Sequence, residues 1–489
     1  MGVYSVFRRR LVRIFRQWLP LMLRPKRPWR PRLPDSEWIG PIFQRDYNIH
    51  LTMPKNRLYP TPSRAQYVCW MRSLVDSMNP SWYEDFDPQS ETRPSVREKE
   101  HATGLDIGTG ASAIYPLLAL RLRPKWFMYG TDIDTTSLEY ASKNLKDNEL
   151  NERCKLLLRN PTSNLIPTKE ELGRDALDFV MTNPPFFSSV SEWQDSLSGK
   201  FGRVPPTSVC AGAQAEMVYE GQEGGGDGGD YAFALRLYRE SQQQSSVTVQ
   251  WYSVMFGKKD SAHLFVILLR NEGCSNFAAF ILGADSRTRR WIIAWSWQDL
   301  RPDCIVSHCE SIRPSLNPKP TDYSIPNKSG QKTQRIQREV MSLLGSLSPP
   351  FESKWNEKLG IGVCRTREIV WNRAFKRKVR QIAEGDLPPT SQKKLEEANT
   401  KPISLGMMVI VEEKQVIVRW TQGTQHLWFD SFCGFLREAL RPLLVEGVSK
   451  LEKPTCRDDA DNTHARSKSA KDKSFDQSNT STRKRRKLA

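Results

Sequence analysis

Between residues 104 and 182, short apolar segments alternate with segments of helical pattern. The apolar segments are Gly104–Ile107, Trp126–Gly130, Lys155–Leu158 and Leu177–Met181, with helical patterns at Ile114–Leu122 and Ser137–Asn148. Parallel strands joined by crossover helices produce this alternation. We therefore predict an α/β fold with a doubly wound, mostly parallel sheet, whose ligands bind at the carboxyl ends of the strands.

Further strands and a second, smaller unit follow along the chain. We predict strands at Val247–Met255, Leu264–Leu269 and Trp291–Trp297. Two alternating segments, Met407–Val411 and Val416–Trp420, precede an apolar-periodic helix and predict a small α+β C-terminal domain.

Positive charge is concentrated at the two ends of the chain, whose net charge is +18. Residues 1–34 hold ten basic side chains and no acid, and residues 451–489 hold eleven basic and six acidic ones. Such a basic chain favours nucleic acid or an anionic membrane as its partner. We predict a basic Arg/Pro-rich segment (1–40), a main domain (41–305), a linker (306–360), an accessory domain (361–450) and a disordered basic tail (451–489).

Cysteine usage and hydropathy exclude several classes of protein. Nine cysteines without CxxC pairs predict neither a disulfide scaffold nor a metal site. No stretch approaches the roughly 20 apolar residues that span a bilayer, so we expect no transmembrane segment.

The first predicted strand ends in a glycine-containing turn within Leu105–Ser112 (LDIGTGAS). Gly108 and Gly110 allow a sharp turn and a close approach to a ligand, at the start of a helix with unpaired N–H groups. Asp132 ends the second strand, where a carboxylate can accept hydrogen bonds from ribose hydroxyls. These residues leave NAD and S-adenosylmethionine both open. Asp134 is predicted to be a helix N-cap.

The tetrapeptide Asn183-Pro184-Pro185-Phe186 follows the fourth strand. The Asn183 oxygen and the Pro184 carbonyl can accept both N–H bonds of an exocyclic purine amine, which directs the lone pair of its nitrogen towards a methyl sulfonium. The prolines stiffen the turn, and Phe186 offers a face on which a flipped-out base stacks. Catalysis would then rest on positioning, without a charged base. Nothing in this tetrapeptide assists hydride transfer, which disfavours NAD.

In the order LDIGTGAS, TDID and NPPFF, the chain resembles the amino-methyltransferases that modify adenine N6. It is most similar to the group of methyltransferase-like protein sixteen and the bacterial ribosomal RNA adenine-N6 methyltransferases, and within it to fungal-type members. Further shared segments begin at Arg57 (RLYPTPSR), Trp251 (WYS) and Arg287 (RTRRW). The resemblance covers residues 55–300. It implies a Rossmann-like class I methyltransferase domain at 41–305 and an accessory, RNA-binding domain at 361–450.

The resemblance also implies roles for individual residues. Those implied to bind the cofactor S-adenosylmethionine are Arg64, Asp106, Gly108, Gly110, Ser112, Asp132, Asn164 and Asn183. Those implied to act on the target amine are Asn183, Pro184, Pro185 and Phe186. Those implied to bind RNA are Phe187, Arg287 and Arg290.

The implied activity is S-adenosylmethionine-dependent methylation of adenine N6, in U6 small nuclear RNA or a related structured RNA, without a metal. Two alternatives stay open: a methyltransferase of the same fold that acts on DNA or protein glutamine, and a catalytically inactive RNA-binding protein. The terminal RKRRK sequence predicts the nucleus, and the Arg-rich start leaves the cytoplasm or mitochondrion as alternatives.

Overall fold

The computed structural model describes residues 35–54, 57, 59–94, 98–198, 214–221, 228–243, 246–283, 289–384, 397 and 400–445. The described residues belong to one compact unit. Of the basic segment predicted at 1–40, residues 1–34 lie outside these ranges, and so does the predicted tail at 451–489.

Seven strands form the first sheet. Their bounds are β1 Thr103–Ile107, β2 Phe127–Asp132, β3 Cys154–Leu158, β4 Ala176–Thr182, β5 Thr248–Phe256, β6 Phe277–Leu282 and β7 Arg290–Trp295. Their order is β3-β2-β1-β4-β5-β7-β6. Strand β7 is antiparallel to β5 and β6, and the other pairs are parallel. This confirms the predicted doubly wound, mostly parallel sheet.

Helices cover both faces of this sheet. Their bounds are α1 Asp35–Tyr47, α2 Arg64–Asp76, α3 Ile114–Leu122, α4 Thr135–Asp147, α5 Lys169–Leu172, α6 Val190–Ser198, α7 Gln214–Met217, α8 Gly229–Gln242, α9 Lys259–Asn271 and α10 Cys304–Ser307. Successive residues of β2, such as Met128 and Tyr129, belong to two different apolar clusters. All five residues of β1 are buried, as expected for a strand covered on both faces.

The strand predicted at Leu264–Leu269 is wrong, because this segment lies within α9. Phe265, Val266 and Leu269 are buried at helical spacing, whereas Leu264 is 52% exposed. The strand that follows is β6, which the sequence pattern did not reveal.

Five antiparallel strands form a second sheet. Their bounds are β8 Asp322–Pro326, β9 Phe351–Asn356, β10 Ile361–Thr366, β11 Leu405–Val411 and β12 Gln415–Gln422, in the order β8-β12-β11-β10-β9. Helices α11 Thr333–Gly345, α12 Arg373–Ala383 and α13 His426–Leu444 accompany it. The predicted small α+β unit is therefore present.

The linker predicted at 306–360 is wrong, because strands β8 and β9 of the second sheet and helix α11 lie within it. Their polar composition has a structural cause. Strand β8 is at an edge and buries only Ile325, and α11 buries only Ile336, Val340 and Leu344. Strands and helices that bury so few residues are difficult to recognise from their apolar pattern.

The end of β12 joins the second sheet to the first. The Trp82 indole N–H donates to Gln422 Oε1 at 3.2 Å. The backbone N–H of Arg301 donates to Thr421 O at 2.9 Å, and its Nε donates to Gly423 O at 2.8 Å.

Candidate functional site

A cavity of about 310 Å³ opens at the carboxyl ends of β1, β2 and β4. The order of the strands reverses between β1 and β4, and open α/β sheets bind their ligands at such a switch point. Seven residues predicted to bind a cofactor line this cavity, namely Arg64, Gly108, Gly110, Ser112, Asp132, Asn164 and Asn183. Pro184 and Pro185 line it as well.

The loop after β1 presents its backbone to open space. Gly108 and Gly110 have φ angles of +73° and +65°, and a Cβ at either position would meet nothing within 4 Å. Glycine adopts this conformation without strain. The N–H groups of Gly108 and Thr109 donate to Thr131 O at 2.9 and 2.8 Å. These bonds fix the loop against the end of β2.

Asp132 anchors the same loop through both carboxylate oxygens. Oδ2 accepts from the Gly110 N–H at 2.9 Å, and Oδ1 accepts from the Asp134 N–H at 3.0 Å. Burial raises the pKa of this carboxyl, against the effect of the N–H donors. Each oxygen keeps a further lone pair, so Asp132 can still accept hydrogen bonds from hydroxyl groups in the cavity.

Asp134 caps helix α4, which confirms the prediction. Its Oδ2 accepts from the Ser137 N–H at 2.7 Å. The same oxygen accepts from Arg57 Nη2 at 2.7 Å, which holds Arg57 on the cavity wall.

Arg64, the first residue of α2, connects three parts of the wall. Its Nη1 donates to Asn183 Oδ1 at 3.1 Å and to Tyr115 Oη at 3.2 Å, and lies 2.8 Å from Met255 Sδ. The guanidinium can only donate, so it determines which end of the Asn183 amide is the oxygen. The second lone pair of that oxygen is left for a donor in the cavity.

The Asn183–Phe186 turn is held at both ends. The Thr182 hydroxyl donates to Ile107 O at 2.8 Å, which ties the end of β4 to the end of β1. Beyond the turn, the carbonyl of Phe187 accepts from the Tyr219 N–H at 2.9 Å. The turn is therefore fixed by the chain itself before any ligand binds.

Phe186 lies next to the cavity wall and contacts Arg290. The Arg290 guanidinium carbon is 4.9 Å from the ring centroid, a cation–π distance. The ring rests on the backbone of Gly257, where a Cβ would come within 2.8 Å of it. Burial lowers the pKa of Arg290. Arg287, the other arginine predicted to bind RNA, lies outside the described residues.

Asp106 differs from the other residues predicted to bind a cofactor. Its side chain is fully buried and does not line the cavity. Burial raises its pKa to about 7; Thr109 and Arg64 oppose this rise and the Asp132 carboxylate adds to it. Asp106 does not line the cavity, and its predicted role in cofactor binding stays a prediction.

Asp106 should make the stability of the chain depend on pH. Its carboxyl has an ordinary pKa of 3.8 and a folded pKa of about 7, so the folded chain binds the extra proton between these values and stability falls as pH rises. Asp106→Asn removes this dependence. We expect the free energy of unfolding of Asp106→Asn, measured relative to that of the native chain, to rise by roughly a few kcal/mol between pH 5 and pH 8.

Thermal unfolding at several pH values measures this difference. Asp147→Asn, at an exposed acid, is the control and should show no such trend. A constant difference between Asp106→Asn and the native chain across this range would contradict the prediction.

Asn164 lies on a loop that is fixed through its backbone. Arg159 Nη2 donates to Asn164 O at 2.9 Å, and Arg236 Nη1 donates to Pro161 O at 3.1 Å. Arg57, Tyr115 and Arg236 also line the cavity and were not predicted. Sequence patterns did not indicate these three residues, because each reaches the cavity through contacts with residues that are distant in the sequence.

The donor and acceptor set fits S-adenosylmethionine. Asp132 offers acceptors for ribose hydroxyls, Arg64 offers a guanidinium for a carboxylate, and the glycine turn leaves room for close approach. The cavity volume falls at the lower end of small-molecule sites. Among the residues that the structure describes, no group of three His, Cys, Asp or Glu side chains could hold a metal ion. None of the described helices has the length and apolarity needed to cross a membrane.

Comparison with known proteins gives one matching family, described as RNA methyltransferase, whose profile matches residues 40–299. The U6 small nuclear RNA (adenine-(43)-N(6))-methyltransferase of Schizosaccharomyces pombe is 32% identical over 404 residues. This alignment covers 82% of the chain and 91% of the fission yeast protein.

A second relative is the RNA N(6)-adenosine-methyltransferase METTL16 of Homo sapiens, 33% identical over 261 residues. That match covers 53% of this chain and only 42% of the human protein. Among solved structures, the hMettl16 catalytic domain in complex with MAT2A 3′UTR hairpin 6 aligns with a TM-score of 0.43 and 30% identity, over 53% of this chain and 80% of that one.

Proposed function

This chain belongs to the RNA methyltransferase family, and on that basis we propose that it uses S-adenosylmethionine to methylate adenine N6 in RNA, with U6 small nuclear RNA as substrate. The observation that carries the proposal is the position of Asn183 on the wall of the cavity that Asp132 and the glycine turn also line. The fission yeast relative supports the substrate, because it aligns over most of both chains and is named for U6 RNA.

The chain's own residues would hold the cofactor as follows. Asp132 accepts from ribose hydroxyls, and Arg64 binds the carboxylate of the amino-acid part. Gly108 and Gly110 let the loop approach the ligand without a side chain in between. When bound, S-adenosylmethionine supplies an electrophilic methyl group on a positively charged sulfur.

Asn183 and Pro184 would orient the amine that receives the methyl group. The Asn183 oxygen and the Pro184 carbonyl each accept one N–H bond of adenine N6. This turns the lone pair of the nitrogen towards the methyl carbon. Transfer would form the bond between N6 and the methyl carbon as the methyl–sulfur bond breaks, and the amine would then lose its extra proton to solvent, so no charged base is required. Arg64 keeps the Asn183 oxygen in place and acts as a positioning residue.

Phe186 and Arg290 would receive the target base and its backbone. The Phe186 ring offers a stacking surface for a base that has left its helix. The adjacent Arg290 guanidinium can bind a phosphate of the same nucleotide, which positions the RNA without specifying its sequence. Phe187, and Arg287 outside the described residues, complete the RNA contacts we propose.

Helix α12 is a second surface that we propose for RNA. Its exposed residues include Arg373, Lys376, Arg377 and Arg380, and the helix has no acid between its bounds. Phe375 is buried against the second sheet and holds the helix in place. A basic helix face of this kind suits a phosphate backbone. We also propose a nuclear location, which a U6 small nuclear RNA substrate would require.

Methyl transfer to three acceptors tests the proposed function. The full chain is incubated with methyl-labelled S-adenosylmethionine and with U6 RNA, DNA of the same sequence, or a glutamine-containing peptide. We expect label in RNA, and mass spectrometry of the nucleosides should identify N6-methyladenosine. Label in DNA or peptide alone would favour the alternative substrates, and RNA binding without transfer to any acceptor would indicate a non-catalytic RNA-binding protein.

A further inference from the structure

A second cavity, of about 290 Å³, lies where the two sheets meet. Its wall includes the end of α9 and the start of β6, residues 318–321 before β8, Trp420 of β12 and His426 of α13. It shares no lining residue with the cavity at the ends of β1 and β4.

The charged side chains on this wall are Arg270, Arg301 and Lys319, which are all cationic, and no aspartate or glutamate lines it. His426 also lines the cavity, and its Nδ1 lies 2.7 Å from Asp430 Oδ2. The structure shows no ion pair of Arg270, Arg301 or Lys319 with any of the residues that it describes. The nearby Asp299 accepts from Gln422 Nε2 at 2.9 Å and lies outside the wall. The wall therefore carries three cationic side chains and no acidic one, while Asp299 acts electrostatically on Arg301 from outside the wall.

Arg301 is the most constrained of these groups, because its side chain is buried and the residue is only 6% exposed. Nε donates to Gly423 O at 2.8 Å, Nη2 donates to Ser275 Oγ at 3.0 Å, and the guanidinium lies 3.9 Å from the Trp420 ring centroid. Nη1 has no hydrogen-bond partner among the described residues. Burial lowers the pKa of Arg301 to about 10, against the opposing effects of Cys274 and Asp299.

The amino end of α13 adds to this positive potential. The helix is 19 residues long, begins at His426 on the cavity wall, and has no side-chain cap. The first N–H groups of such a helix lack partners within the helix and carry partial positive charge. Together with a buried guanidinium and two exposed cations, they form the donor set that binds phosphate oxygens.

We propose that this cavity is a phosphate-binding site, filled by a backbone phosphate of RNA or by a small phosphorylated molecule. The identification of the ligand as an RNA phosphate rests on the proposed function, whereas the proposal that the cavity binds phosphate does not. A phosphate here would contact groups from both sheets at once. Its binding would therefore strengthen the junction that Arg301 and Trp82 form between them.

Thermal unfolding of the full chain in inorganic phosphate, compared with chloride at equal ionic strength, tests the site directly. A ligand that binds the folded chain raises the Tm in a saturable way. Lys319→Glu should raise the phosphate concentration that gives half of the full rise in Tm by roughly tenfold or more, because an exposed cation on the wall becomes an anion. Lys414→Glu, at an exposed lysine before the opposite end of β12, is the matched control and should keep the native response.

RNA binding by the same variants distinguishes the two sources. If an RNA phosphate fills the site, Lys319→Glu weakens RNA binding several-fold. It also lowers the slope of log affinity against log salt concentration by the amount of about one phosphate contact. Lys414→Glu changes neither quantity. If a small phosphorylated molecule fills it, RNA affinity is unchanged and only the phosphate response is lost. Lack of a saturable phosphate response in the native chain, or equal loss in both variants, overturns the proposal. These readouts need no methyl transfer, so a failed proposed function would leave them interpretable.

Discussion

Asn183→Ala is expected to abolish measurable methyl transfer while it leaves the affinity for RNA within a few fold. The side chain supplies the acceptor that orients the amine, an interaction used chiefly in the transition state. Removing one such preorganised group costs roughly 100- to 1,000-fold in kcat in other enzymes. The Asn183 oxygen is fixed by Arg64, so the native chain has this orientation before RNA binds.

A methyl-transfer assay at saturating RNA and cofactor, with RNA binding measured in parallel, checks this result. Asn151→Ala makes the same substitution at an exposed residue that precedes the amino end of β3, at the edge of the sheet opposite the cavity. It should keep native activity. Full activity in Asn183→Ala would refute the role of the tetrapeptide.

Strands β1 to β4 could be predicted within two residues of their observed bounds, and α3 was predicted at its observed bounds. Each of these strands is a short, mainly apolar segment, and β1, β2 and β4 end at or just before a Gly, Asp or Asn, as expected for parallel strands whose carboxyl ends face a ligand site. Because the motifs stand at the carboxyl ends, the sequence also located most of the cavity wall.

The remaining features depend on contacts that no local pattern contains. The apolar run at Leu264–Leu269 fits a strand or a helix, and packing against the sheet decides in favour of α9. Asp106 and Asp132 are both acids near strand ends, yet only Asp132 reaches the cavity. The contact between Arg290 and Phe186 joins two segments whose proximity follows only from the order of the strands.

Asp132→Ala is expected to raise the Kd for S-adenosylmethionine roughly 100-fold, or about 3 kcal/mol. The variant loses the acceptors for the ribose hydroxyls. It also frees the Gly110 and Asp134 N–H groups that Asp132 holds at 2.9 and 3.0 Å, so the loop is less well ordered for its ligand. Calorimetric titration of the cofactor measures the change, with Asp147→Ala as the exposed-acid control.

The variants at Asp132 and Asn183 should fail in different ways, and this difference is the sharper test. Asp132→Ala acts on ground-state binding, so kcat at saturating cofactor should stay within a few fold of native. Asn183→Ala should leave the cofactor Kd within a few fold, because we propose that its oxygen serves the amine of the base, and Arg64 keeps its contacts with Tyr115 and Met255. A cofactor Kd that Asp132→Ala leaves unchanged would mean that this carboxylate serves only the loop. The ribose would then be bound by other groups on the wall.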